Sequence, residues 1–129
     1  MNQKLPKSEI LRSKKVIQEL FQANSSFFYA YPLQIRWLQR TPENQESTLQ
    51  PNFPQVLFVV SKKKIKKAVT RNLIRRRLRE VYRKNKSNFS EKLSKIQYLA
   101  IIYIAKEALP YKEIEKSFFH FLLQKTETQ

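Results

Sequence analysis

The side chains best placed to do chemistry in this sequence are its arginines and lysines, and half of them share one window. Residues 62–86 hold 13 of the 26 basic residues against a single acid, Glu80. At about 100° per residue along a helix, with Ala68 at zero, Arg75, Arg79, Asn72, Arg83 and Arg76 fall between about 340° and about 80°. Val81, Ile74, Leu78 and Tyr82 fall between about 220° and about 320°; Val69 and Leu73 add apolar positions near about 100° and about 140°. Arg71 lies at the stripe's edge in the first turn, and Arg77 points away from it near about 180°. A guanidinium presents a planar fork of donors that matches phosphate oxygens and stays charged. Like charges at i, i+4, such as Arg71/Arg75, Arg75/Arg79 and Arg79/Arg83, cost helix stability. A negatively charged counter-surface would relieve that cost. Lys62, Lys63, Lys64, Lys66 and Lys67 carry the patch into the preceding turn, beside a helix N-terminus that itself attracts phosphate.

Other chemistries are excluded by what the 129 residues lack. Glycine and cysteine are absent, all ten acids are Glu, and His120 is the one histidine. No glycine means no phosphate-cradling glycine loop. No cysteine removes disulfides, thiolate metal sites and a thiol nucleophile. Without Asp there is no Ser-His-Asp triad, and one imidazole cannot make a two-histidine site. His120 falls on the polar side of its helix, with Glu113 and Lys116, and reads as a surface residue. No metal site or protein-bound cofactor is expected. The formal charge of +16 points to a polyanionic partner. The first residues lack an apolar signal-peptide core, and no apolar run approaches the roughly 20 residues that cross a bilayer. The expectation is a cytoplasmic protein.

The elements that must position the basic stripe read as α-β-(β)-β-α-β-α. Ser13 is placed to cap a short helix, Lys14–Ala23, with Ile17/Phe21 and Val16/Leu20 at i, i+4; Asn24 would close it. Residues 27–38 read as strand, and Pro32 implies an edge or a split into two short strands. Leu33, Ile35 and Trp37 alternate with Gln34 and Arg36, a half-buried pattern. Residues 39–54 read as a mobile loop. Val56–Val60 and Tyr98–Ala105 are continuous apolar runs, hence buried strands. The basic helix spans Ala68 to about Lys84 between them, residues 85–95 make a polar linker with room for one helical turn, and a final helix covers Tyr111–Lys125. A β-α-β unit over residues 56–105 can pair its strands in parallel, with a right-handed crossover by default. One domain over residues 8–125 is expected, with flexible ends at 1–7 and 126–129.

The string from Val59 to Glu80, VVSKKKIKKAVTRNLIRRRLRE, resembles the signature of the bacterial ribonuclease P protein component. In that family a Val-Ser-Lys-Lys strand end leads into an Arg-Asn helix. The similarity runs in order over about residues 10–123. Departures occur at Leu73, where the family usually has Arg, at Lys66, where a turn glycine is frequent, and at Ile17, where Phe is frequent. The resemblance implies an α/β (α+β) two-layer sandwich: a four-stranded sheet with a β-α-β crossover, packed by three helices. It implies a left-handed crossover, against the default. It implies that the catalytic RNA of ribonuclease P is bound through Lys62, Lys63, Lys67, Arg71, Asn72, Arg75, Arg76, Arg79 and Arg83. The single-stranded 5′ leader of precursor tRNA would lie on the sheet beside the first helix, near Ile17, Phe21 and Arg36. The RNA subunit and its magnesium ions would cut the phosphodiester bond, with no catalytic residue in the protein.

Phe27, Phe28, Tyr29 and Tyr31 read first as core, with a base-stacking platform as the alternative. A structural RNA-binding protein of ribosomal type would share the charge and the α/β plan, and the Ser-Lys-Lys to Arg-Asn string separates the two readings. Strands on both sides of the basic helix argue against a DNA-reading helix-turn-helix. Its apolar face is needed by those strands, which argues against membrane binding.

Overall fold

The computed structural model describes residues 9–22, 25–39 and 53–124. Residues 40–52 of the loop expected at 39–54, both chain ends and the cap at Asn24 lie outside the described residues. Ser13 caps α1 (Lys14–Leu20), its hydroxyl accepting from the Val16 N–H at 3.3 Å. The helix ends at Phe21, shorter than its sequence pattern. Strands β1 (Ser26–Ala30) and β2 (Leu33–Gln39) form an antiparallel hairpin around Tyr31 and Pro32, whose peptide bond is cis. Proline thus splits the run into two strands, because it cannot donate to a ladder.

Strand β3 (Gln55–Val60) leads through the basic turn into α2 (Ala68–Asn85). The polar linker coils into a 3-10 turn (Lys86–Phe89) and a single helical turn, α3 (Ser90–Leu93). Strand β4 (Ile96–Tyr103) and α4 (Tyr111–Leu123) complete the chain. The sheet order is β1-β2-β4-β3. β3 and β4 pair in parallel across α2, as the β-α-β reading expects, and β2 pairs with β4 antiparallel.

Two faces follow from the strand period of two. One carries Leu33, Ile35 and Trp37, Leu99, Ile101 and Tyr103, and Val56, Phe58 and Val60. α2 and α4 close over it with Ile74, Leu78, Tyr82, Ile114, Phe118 and Phe121. Aromatic rings interlock this core: Trp37 meets Phe121 at 5.2 Å and Tyr82 meets Phe118 at 6.1 Å between centroids. Such edge-on pairs add to area burial.

The other face is only partly covered. There α1 packs Leu20 against Ala100, together with Leu11 from the segment before the helix. Ala100 is a weak strand former; its small side chain lets the helix approach β4. Leu11 is pinned by its N–H donating to the Val56 carbonyl at 2.9 Å. Among the described residues no helix packs over the β1 side of this face, which leaves an open shelf beside α1.

Candidate nucleic-acid interface

The basic turn is built around one buried residue. Ile65 sinks into the core, and its N–H donates to the Ser61 carbonyl at 3.0 Å. The Ser61 hydroxyl accepts from the Lys63 N–H at 3.1 Å. These bonds turn Lys62, Lys63, Lys66 and Lys67 outward, all exposed. Lys64 is tied back, its ammonium donating to the Ile104 carbonyl at 3.0 Å. At the helix entry Lys67 offers no side-chain cap. Arg71 instead reaches back, its Nη1 donating to the carbonyls of Ile65 and Lys66, each at 2.9 Å. The turn position occupied by Lys66 is therefore held by an arginine clamp.

Along α2 the helical arc reads correctly on its core side: Ile74, Leu78, Val81 and Tyr82 are all buried. Asn72, Arg76 and Arg79 are exposed on the opposite side, with Arg75 and Arg83 half-buried beside them. Arg75 donates to the Asn72 side-chain carbonyl at 3.1 Å, which fixes the two together. Arg79 lies 5.8 Å from the Phe58 ring centroid. Glu80 pairs with Arg83 at 2.8 Å and with Lys84 at 3.5 Å. The Arg83 hydrogen bond is the main cause that holds the Glu80 carboxyl below its usual range. Arg77, off the stripe, donates to the Leu109 carbonyl and so braces the connection between β4 and α4. Tyr103 organises the same connection, donating to the Glu107 carbonyl at 2.6 Å and accepting from the Leu109 N–H at 2.9 Å. Burial is the largest cause raising that phenol's pKa.

Apolar positions of α2 are not all core. Val69 is 80% exposed and Leu73 is half-buried. The helix thus buries one apolar arc in the core, while of the second arc Val69 faces solvent and Leu73 is only partly covered. Asn85 escaped the sequence reading. It is buried at the helix end, donating to the Val81 carbonyl at 2.8 Å and to Glu115 at 3.1 Å. Nothing in its local sequence marks it, because its carboxylate partner lies 30 residues away.

The second candidate surface is the open shelf. Ile17 packs half-buried against the Leu11–Leu20–Ala100 cluster. Phe21 and Phe27 flank Arg36, whose guanidinium carbon lies 5.7 and 5.6 Å from their ring centroids. Arg36 Nη1 donates to the Ser25 hydroxyl at 3.3 Å. That hydroxyl lies 2.8 Å from the Leu20 carbonyl, its acceptor at the end of α1. The structure thus brings Ile17, Phe21 and Arg36 to one side of the sheet.

Of the four aromatics read first as core, only Phe28 packs on it. Phe27, Tyr29 and Tyr31 are 59%, 60% and 59% exposed. The hairpin explains this: Phe28 pairs with the buried Ile35, while Phe27 and Tyr29 pair with Arg36 and Gln34 on the open face. The signal was present in the sequence. A two-residue connection at Tyr31-Pro32 fixes that register, and Ile35 already belonged to the core alternation.

Among the described residues, no three His, Cys, Asp or Glu side chains gather where a metal ion could be held. No helix there is long and apolar enough to cross a membrane.

Comparison with known proteins places this geometry. A family model described as Ribonuclease P matches residues 5–126. The ribonuclease P protein component of Chlorobaculum tepidum is 35% identical over 91 residues, covering 70% of this chain and 56% of that protein. That of Chlorobium phaeobacteroides is 40% identical over 82 residues, covering 64% and 53%. The chain therefore spans about half the length of these curated relatives. The solved RNase P protein of Staphylococcus aureus is similar at a TM-score of 0.66 and 19% identity, over 90% of this chain and 94% of that one. A mutant of that protein with defective mRNA degradation activity gives 0.67 at 18% identity, over 90% and 86%. At such identity the solved structures speak for the fold, and they agree with the mixed four-stranded sheet seen here. With the family match running through both the basic helix and the sheet that carries it, the chain belongs to the bacterial ribonuclease P protein component family.

Proposed function

We propose that this chain is the protein subunit of a ribonucleoprotein endonuclease that removes the 5′ leader from precursor tRNA in the cytoplasm. Its catalytic RNA binds the stripe of Asn72, Arg75, Arg76, Arg79 and Arg83 together with Lys62, Lys63 and Lys67. Arg71 contributes its charge and holds the turn. The observation that carries the reading is the one-signed face of α2, where guanidinium groups gather on the side away from the core. Such a face neutralises phosphates in series. The leader lies on the open shelf, where Phe21, Phe27 and Tyr29 offer rings for base stacking and Arg36 offers a cation between two of them. Phosphodiester cleavage is assigned to the RNA partner and the magnesium it binds, as the family resemblance implies.

The test compares precursor tRNA with mature tRNA as ligands of the RNA–protein complex. Precursor should bind at least several-fold more tightly only when the protein is present. Equal affinity for the two with the protein bound would remove the leader from this reading.

A further inference from the structure

Beside the arginine stripe, between α2 and the N-terminus of α4, lies a solvent-open hollow of about 280 Å³ lined by Leu73, Arg76, Arg77, Glu80 and Tyr111. We propose that this hollow takes one unstacked nucleobase carrying an exocyclic amino group, from the RNA that lies on α2. The inference rests on the proposed binding of RNA to the stripe.

Size comes first. Pockets for drug-sized ligands run from about 300 to 1,000 Å³, so this one suits a single planar group. Chemistry comes next. Leu73 and the Tyr111 ring supply apolar walls, and base-on-aromatic stacking tolerates any base. Glu80 makes this hollow less cationic than the stripe beside it. Its carboxylate has more acceptor sites than the bonds to Arg83 and Lys84 use, and a carboxylate accepts from a base amino group. A uracil, which has no amino group, is disfavoured.

Continuity with the stripe settles the source. Arg76 belongs to both: it lines the hollow and stands at the edge of the arginine arc. A backbone phosphate on Arg76 therefore places its own base at the opening. Val69, one turn before Leu73 and 80% exposed, extends the apolar strip toward Lys67.

The walls are also held in place. The Tyr111 hydroxyl donates to Glu115 at 3.4 Å, and Glu115 accepts from the buried Asn85 at 3.1 Å. Lys84 sits 5.7 Å from the Tyr111 centroid. Arg77 is fixed by the Leu109 carbonyl. A preformed site loses less entropy on binding.

The experiment measures Kd of the full chain for a bacterial ribonuclease P RNA across a salt series. It uses Tyr111→Ala, which removes a wall, and Leu73→Trp, which fills the hollow from its outward side. Tyr111→Phe keeps the ring. Dimethyl sulfate and kethoxal then report the exposed Watson–Crick edges of A, C and G in each complex. Tyr111→Ala and Leu73→Trp should each weaken binding about tenfold with the salt slope unchanged, while Tyr111→Phe stays within about twofold. One unpaired base protected by the wild-type chain should become reactive with both damaging variants. Wild-type affinity in Leu73→Trp, a salt slope that falls with the affinity, or no base whose protection depends on the hollow would each overturn the proposal. Failure of the wild-type chain to bind the RNA would instead overturn the RNA reading of the stripe.

Discussion

Residues of one type divide by what their side chains already hold. Arg77 is committed to the Leu109 carbonyl and Arg71 to two carbonyls of the turn, whereas Arg75 and Arg79 lie along the outward face. Each change to Ala removes one positive charge, so long-range attraction falls equally. Only the outward pair also loses charge-assisted bonds to phosphate, about 1.5–3 kcal/mol for a bond to a charged group. Arg75→Ala and Arg79→Ala should therefore weaken RNA binding about tenfold or more while leaving the thermal midpoint nearly unchanged. Arg77→Ala should show the reverse: a midpoint lowered by several degrees and a several-fold loss of binding at most. Paired Kd and melting measurements check this, and equal binding losses at all three positions would reduce the stripe to a diffuse charge cloud. The stripe was legible because a helix of known phase needs only arithmetic. The bond from Arg77 to Leu109 was not, since its acceptor lies 32 residues on. The exposure of Phe27 was legible only through the hairpin register, because three consecutive aromatics show no alternation of their own.

At the level of elements, β3, α2, β4 and α4 were all legible, because long apolar or strongly periodic runs leave few alternatives. Placement of α1 was not. Its stripe of Val16, Ile17, Leu20 and Phe21 says only that one side is apolar; which sheet face it covers depends on Ala100, where β4 carries a small residue beneath it. This gives α1 a separable role, because it holds Ile17 and Phe21 over the shelf while α2 lies on the opposite face. Ala100→Leu should push α1 away, at about 1–3 kcal/mol of stability for an overpacked site. Discrimination between precursor and mature tRNA should then fall several-fold, with affinity for the catalytic RNA unchanged. Binding measurements with both ligands check it; parallel losses in the two would show that the surfaces are not independent.

The whole molecule carries a charge of +16 on 129 residues, and its association with RNA should be governed by counterion release. If about six phosphates are neutralised, log K should fall with log salt at a slope of around −4 to −5, taking about −0.7 to −0.9 per contact. A nearly flat dependence, read by filter binding from low to moderate salt, would contradict phosphate tracking by α2. The same charge bears on the proposed activity. Two RNAs brought together repel through their phosphates, and a cationic protein between them reduces the metal-ion screening they need. The most direct measurement is therefore cleavage of precursor tRNA by a bacterial ribonuclease P RNA at low magnesium, with and without this chain. Cleavage at the mature 5′ end is predicted when both are present, and neither the RNA alone nor the nuclease-free protein alone should process the substrate there. No stimulation of the RNA by the protein, or correct cleavage by the protein without RNA, would contradict the account.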